Sequence, residues 1–364
     1  GKGIAITEAN FGDVAFCNYL KSKFDVNGDG ILSDSESKIT TIDLYAEAIT
    51  TNLGNVKGLS KLVGLETLIL QGAKVKTLDV SNCASLKTLN CEGCNMTELN
   101  FANCPNIEVF NVSSNLLPKL DCSSLTKLTD LNCNSTGIST LDLSNFKELK
   151  KLNCGGDKLN SLDVSMCSKL ETLSCNANYL CELKLSDSLL WLDCRSNSLQ
   201  KIDVSNCTNL TRLFCQRNQL TDLDISSCTS LVTLSCENNL LTELDISNLK
   251  SLGALYIDDN QIKSIDLHNN PKLGTLCCEN TLISELDISN CTELSQLKCA
   301  ETNISRLDIS NCPKLIDIYN KINPNYPVTI NVHSNGNTYY GFDLGTMGVG
   351  IMSHPTDITL IVDK

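Results

Sequence analysis

The chain has 364 residues, a formal net charge of −13 and 41% hydrophobic residues. It has no apolar run of the roughly 18 residues a membrane-crossing helix needs, and an acidic balance argues against nucleic acid as a partner. With only three histidines and 5% aromatic residues, it is poorly supplied for most enzyme chemistry.

At the N-terminus, Asp13 to Phe24 reads as a short helix with Val14, Cys17, Leu20 and Phe24 along one side. Directly behind it stands Asp25-Val26-Asn27-Gly28-Asp29-Gly30-Ile31-Leu32-Ser33-Asp34-Ser35-Glu36. This run matches D-x-[DN]-x-[DN]-G-x5-E at every specified position. Calcium would take side-chain oxygens from Asp25, Asn27, Asp29 and Glu36 and the carbonyl of Ile31. Ser33 would contribute directly or through water, and Gly30 would permit the sharp turn. Ser37 to Leu44 reads as a strand and not as an exit helix, so the loop resembles a lone, one-helix version of an EF-hand loop. The alternative is an unfilled Asp/Gly turn. Residues 1–52 are expected to form an N-terminal cap on the repeats.

From about residue 53 to 319 the chain repeats itself. The marker Leu78-Asp79-Val80-Ser81-Asn82-Cys83 has its leading residue again at Leu99, Leu120, Leu141, Leu162, Leu183, Ile202, Leu223, Leu244, Ile265, Leu286 and Leu307. Every step is 21 residues except Leu183 to Ile202, which is 19. A fixed period of this length means a solenoid, in which one unit cannot bury its apolar side alone. One unit reads Leu86-x-x-Leu89-x-Cys91-x-x-Cys94-x-Met96-x-x-Leu99, and others carry Leu210, Leu213, Cys215, Asn218, Leu220 and Leu231, Leu234, Cys236, Asn239, Leu241. The pattern resembles the leucine-rich repeat, L-x-x-L-x-L-x-x-N/C-x-L, with cysteine for the third leucine. Its length and cysteine column look most like bacterial cell-surface repeats of the internalin type. The resemblance implies a right-handed, β-dominated α/β solenoid of about 12 repeats with parallel strands on a concave face.

The residues support that geometry independently. Leu89 and Cys91 are two apart and point to one side of a strand, while Thr88, Asn90 and Glu92 point to the other. Of 21 cysteines, nine share this inward position: Cys91, Cys133, Cys154, Cys175, Cys194, Cys215, Cys236, Cys278 and Cys299. Val112 and Ile257 replace it elsewhere. Seven more (Cys83, Cys104, Cys167, Cys207, Cys228, Cys291, Cys312) share a second column, where Leu125, Phe146 and Leu249 substitute. Apolar replacement marks a small core hydrophobe, not a disulfide framework or a thiolate metal cluster. Asn115, Asn178, Asn197, Asn218, Asn239 and Asn260 form a further ladder suited to satisfying backbone groups at the turn. Ten aspartates, Asp79 to Asp308, recur two residues before a serine or its substitute, which suits turn chemistry better than a cation strip.

The outward strand positions read Asn90, Asn111, Asn132, Asn153, Ser174, Asp193, Phe214, Ser235, Tyr256, Cys277, Lys298 and Tyr319. The only tryptophan, Trp191, falls within two adjacent repeats together with Arg195, Arg212 and Arg217. Trp, Arg and Tyr dominate binding hot spots, so Trp191, Arg195, Arg212, Phe214, Arg217 and Tyr256 are the candidate partner-binding residues, with acidic Glu237, Asp258, Asp259 and Glu279 beside them. The bland alternative is that Trp191 covers the short repeat and the arginines pair with neighbouring acids.

After Tyr319 the repeat stops, and residues 320–364 read as a small β cap, or the start of another domain, with Val328, Ile330 and Val332 alternating, as do Ile358, Leu360 and Val362. The expected function is non-catalytic recognition of a protein, or secondarily a glycan, by a monomer at a bacterial cell surface or outside the cell. A structural spacer is the alternative, and a hydrolase a lesser one. No signal segment is visible at Gly1-Lys2-Gly3, which reads as a trimmed start, so export rests on the resemblance.

Overall fold

The computed structural model of the chain describes residues 3–47, 53–322 and 359–361, with side chains of 318–322 and 359–361 left aside. It comprises two compact units, Gly1–Tyr179 and Leu180–Lys364. Among the described residues, no helix is long and apolar enough to cross a membrane.

The first unit opens with a short strand, Ile4–Ala5, paired antiparallel with Ile31–Leu32. The expected helix runs Val14–Phe24, started by the Asp13 carboxylate, which accepts from the Ala15 amide at 2.8 Å. Its buried face holds Phe16, Cys17, Tyr19 and Leu20, whereas Val14 is 53% exposed. The face is thus rotated from the expected stripe, because Phe11, Phe16, Tyr19 and Phe24 pack as a chain of rings 5.9–6.3 Å apart. No exit helix follows Glu36. Thr41–Asp43 is a strand instead, and it pairs in parallel with Thr67–Ile69. The sheet therefore begins inside the segment expected to be only a cap.

From there parallel strands follow once per repeat at 67–69, 88–90, 109–111, 130–132, 151–153 and 172–174. Their central residues, Leu68, Leu89, Phe110, Leu131, Leu152 and Leu173, pair directly with one another and are buried. In the second unit the same arrangement occupies 191–193, 212–214, 233–235, 254–256, 275–277 and 296–298. Each unit is a β-dominated stack of leucine-rich-repeat turns.

The inward column behaves as the periodicity requires. Eight of its nine cysteines are fully buried, as are Val112 and Ile257; Cys299, in the last rung, is partly open. All 21 cysteines are free thiols, and Cys181 alone is exposed. The second column does more than fill space. Cys104, Cys228 and Cys312 direct Sγ at the carbonyls of Val80, Val204 and Ile288, at 3.0, 3.5 and 3.5 Å. Asn270 takes the same place in its repeat and donates through Nδ2 to Ile246 and Leu249 carbonyls at 3.0 Å. An amide there had no counterpart among the expected apolar substitutes. It fits because the position offers two carbonyls as well as apolar walls.

The polar ladders are architecture. In all ten aspartates of their column Oδ1 accepts from the backbone amide two residues on, from Asp79 to Ser81 (2.8 Å) through Asp308 to Ser310 (2.9 Å). At the other corner the chain turns through a left-handed residue in successive rungs, for instance Gly93, Ser114, Arg217, Asn238 and Glu301. The residue that follows this corner is the ladder asparagine. Asn218 donates to the carbonyls of Cys194 and Cys215 at 3.1 and 3.0 Å and accepts from the Leu199 amide at 3.0 Å. Thr136, Thr281 and Thr302 meet the local carbonyl with a hydroxyl at 2.7–2.8 Å.

The C-terminal part departs from expectation. Tyr319 lies in a helix, Pro313–Ile322, and not in an outward strand position, and the expected β cap starting at 320 gives way to this helix over its first residues. The sequence explains the change. Leu315, Ile318, Tyr319 and Ile322 recur at helical spacing, and Asn320 occupies the place where an inward cysteine would anchor a strand. Pro313 opens the helix, where its missing amide costs nothing. Arg306–Asp308 pairs in parallel with Thr359–Ile361, a strand within the second expected alternation; Val328, Ile330 and Val332 lie outside the described residues.

Candidate functional site

The outward face of the first unit is largely committed to its own backbone. Asn90, Asn111, Asn132 and Asn153 each accept through Oδ1 from the amide two residues on, at 3.0, 3.1, 3.2 and 3.2 Å. These short polar side chains end the strands; their uniformity reflects turn closure. In the second unit only Asp193 repeats that pattern, accepting from the Arg195 amide at 3.2 Å. The next places in the column are Phe214, Ser235, Tyr256, Cys277 and Lys298, released from that duty and chemically diverse.

The structure brings most of the candidate residues together. Trp191 stands beside Arg212 on neighbouring strands and Asp193 beside Phe214. The rings of Trp191 and Phe214 are 5.8 Å apart, tilted at 56°, within the range of favourable aromatic contacts. Both are half-buried, as is Tyr256, while Arg195, Arg212 and Arg217 are exposed. Tyr256 is two rungs from Phe214, with Ser235 between them. Arg195 also has internal work: its Nε lies 3.2 Å from Asp193 Oδ2. The Asp193 side chain is almost fully buried, and burial pushes its carboxyl up while Arg195 pulls it back. Part of the bland alternative is therefore present, in the pairing of Arg195 with a neighbouring acid. Arg217 occupies a left-handed corner, at φ 57°, where a non-glycine residue carries a strain of about 1–2 kcal/mol.

Beside the aromatic strip lie the acids. Gln216, Glu237, Asp258 and Glu279 hold one position on four successive rungs, immediately after the strands. Ser235 donates its hydroxyl to Glu237, and the Glu279 amide donates to Asp258 Oδ1 at 2.8 Å. Burial, reinforced by the like charges of the neighbours, pushes Asp258 up to about 6 and Glu279 up to about 7, and raises Glu237 as well. Glu279 Oε1 and Gln216 Oε1 are buried without a hydrogen-bond partner. The sequence placed these residues beside the patch but gave no sign of their burial. Period fixes the side a residue faces, whereas depth depends on the bulk of the side chains above and below.

In the N-terminal loop the side chains expected to bind calcium are engaged by the loop's own hydrogen bonds. Asp25 accepts from Gly28 and Gly30 amides at 2.8 and 2.9 Å, Asn27 from Asp29 at 3.0 Å, and Asp29 from Ile31 at 2.8 Å. Glu36 closes the loop, Oε1 accepting from Val26 at 2.8 Å and Oε2 from Ser33 at 2.9 Å. Hydrogen bonds from Ser33, then from Val26 and Asn27, hold Glu36 down at about 2. Gly28 and Gly30 take φ of 73° and 78°, which favours glycine. Among the described residues no three His, Cys, Asp or Glu side chains converge as a ready metal cluster. The donor set nevertheless fits a hard cation, because it is all oxygen and includes the three carboxylates Asp25, Asp29 and Glu36.

This fold and its surface define a leucine-rich-repeat solenoid with a cysteine ladder. The family pattern described as Leucine Rich repeats (2 copies) matches residues 208–251. Among solved structures the chain is similar to the functional domain of InlJ from Listeria monocytogenes, described as including a cysteine ladder, at 28% identity and a TM-score of 0.69, over 87% of this chain and 75% of that one. It is also similar to the internalin InlF from Listeria monocytogenes, at 23% identity and a TM-score of 0.72, over 86% and 95%. The leucine-rich-repeat protein LIC12759 from Leptospira interrogans shares the fold at 19% identity and a TM-score of 0.57, over 79% and 89%. No curated protein matches the sequence. The architecture is internalin-like, a fold typical of protein-binding proteins.

Proposed function

We propose that the chain is a non-catalytic recognition protein of a bacterial cell surface or its surroundings, and that it binds a protein partner through the outward face of its second unit. The observation that supports this most is the half-exposed Trp191–Phe214 pair with exposed Arg212 and Arg217 beside it, on a face whose backbone needs are met elsewhere. Large rigid rings next to directional donors are the composition of a binding hot spot. The InlJ likeness supports a surface setting. The test is capture of a ligand on immobilised protein, followed by affinity measurements with Trp191→Ala and Arg212→Ala. Each variant should weaken binding at least tenfold while thermal unfolding is unchanged; full affinity in both would overturn the reading.

The N-terminal loop serves a structural calcium ion in this account. Asp25, Asn27, Asp29 and Glu36 would hold it by side-chain oxygens, Ile31 by its carbonyl and Ser33 directly or through water. The ion would tie the helix Val14–Phe24 to the strand Thr41–Asp43, since the loop joins them. Titration calorimetry with calcium should give one site, lost in Glu36→Gln. Absence of heat in the unaltered protein would remove calcium from the account.

A further inference from the structure

The face proposed for recognition is not evenly charged. Exposed Arg212 and Arg217 stand in one rung, and Glu237, Asp258 and Glu279 in the three beyond it. Phe214 shares the rung of Arg212, Tyr256 shares that of Asp258, and Trp191 stands one rung before Arg212. Two cations of the same face offset part of the acidic side: Arg217 pulls against the burial that raises Glu237, and Lys298, one rung beyond, against that which raises Glu279. Even so, Glu279 Oε1 and Gln216 Oε1 remain buried acceptors with no donor. A buried acceptor left in this state costs free energy. Parallel rungs repeat at about 4.8 Å, so Arg212 and Glu279 are separated by about 14 Å along the sheet. That exceeds the screening length of about 8 Å at physiological salt, so each end of the face acts separately on a ligand.

Resting on the function proposed above, we propose that the partner's contact segment is a bipolar stretch of protein: acidic where it crosses Arg212 and Arg217, apolar over Trp191, Phe214 and Tyr256, and carrying a lysine or arginine over Asp258 and Glu279. Charge complementarity sets the direction in which the segment lies. The basic end pairs with the Asp258 and Glu279 carboxylates, and the acidic end meets guanidinium groups. About four to five extended residues cover the distance between the two ends, at roughly 3.3 Å per residue.

The probe is a displayed library of random twelve-residue peptides, selected on the full chain and sorted for loss of binding to Trp191→Ala. Enriched peptides should carry acidic residues toward one end and basic residues toward the other, with apolar residues interspersed. Arg212→Glu should weaken them at least tenfold, with recovery when only the acidic end of the peptide is made basic. The pair Asp258→Asn and Glu279→Gln should weaken them similarly; both substitutions keep shape and lighten a buried charge, so folding is preserved, as circular dichroism will check. Trp191-dependent peptides of a single sign, or peptides that bind the neutralised pair as tightly as the unaltered protein, would overturn the bipolar segment and leave the recognition face standing. If no peptide depends on Trp191, both proposals fall.

Discussion

Replacing Asn239 by alanine tests whether the asparagine ladder carries the turns. Its Nδ2 donates to the carbonyls of Cys215 and Cys236 at 3.1 and 3.0 Å, and its Oδ1 accepts from the Leu220 amide at 3.0 Å, in a site 6% exposed. Alanine orphans three buried backbone groups at about 1–3 kcal/mol each. Some water entry is to be allowed for, so the expected loss is about 3–5 kcal/mol. Threonine, as at Thr281, restores a donor to the local carbonyl, and should recover about 1–2 kcal/mol of the loss. The assay is urea unfolding, read as a shift of midpoint at constant slope. Stacked repeats can lose two-state behaviour, so amide exchange at Leu220 gives a local second reading and should accelerate. Equal stability of the alanine variant and the unaltered protein, or a threonine variant no better than alanine, would refute the role assigned to the ladder.

Cys236→Val should cost less than about 1.5 kcal/mol, because Val112 and Ile257 already fill equivalent places; a loss above about 3 kcal/mol on thermal or urea unfolding would mean that the thiol itself is required. The raised carboxyls give a pH dependence. Asp258 and Glu279 sit above their ordinary values in the folded chain, so their ionisation penalises folding; the penalty is nil below about pH 4, grows as pH rises and is complete above about pH 7. Against the unaltered protein, the pair Asp258→Asn and Glu279→Gln should gain about 2–4 kcal/mol between pH 4 and 7.5, a modest figure because the two groups are coupled and solvent screens the half-buried Glu279; a flat difference would contradict the burial. Asp121, Asp142, Asp203, Asp224 and Asp245 act with the opposite sign, since hydrogen bonds from the following serine lower each of them. Their support is present above about pH 4 and lost as pH falls further, so Asp224→Asn should flatten part of the acid limb of the unfolding curve, and an unchanged limb would speak against it.

The repetition made most of the fold legible. Leu89 and Cys91 sit two apart, and that spacing, repeated at 21 residues, fixed which side chains face inward and which backbone groups the Asp and Asn columns would meet. Three features escaped because they depend on more than period. Ile42 forms the first rung without the Leu-x-x-Leu heading that marks later ones. Leu315 and Ile318 continue the heading, yet the chain turns helical because Asn320 replaces the inward cysteine. Glu279 and Asp258 were visible as outward acids, but their burial comes from neighbouring rungs. At the candidate site the sequence identified Trp191, Phe214 and Arg212 as neighbours, and its alternative of arginines paired with neighbouring acids holds for Arg195, which is tied to Asp193.

Counting reactive thiols tests the inward cysteine column most directly, since the outward face exists only if that column is shut away. An aromatic disulfide reagent should titrate 21 thiols in denaturant but only Cys181 promptly in the native protein, with Cys299 following more slowly. Several prompt thiols in the native state, or fewer than 21 after unfolding without reductant, would contradict the account.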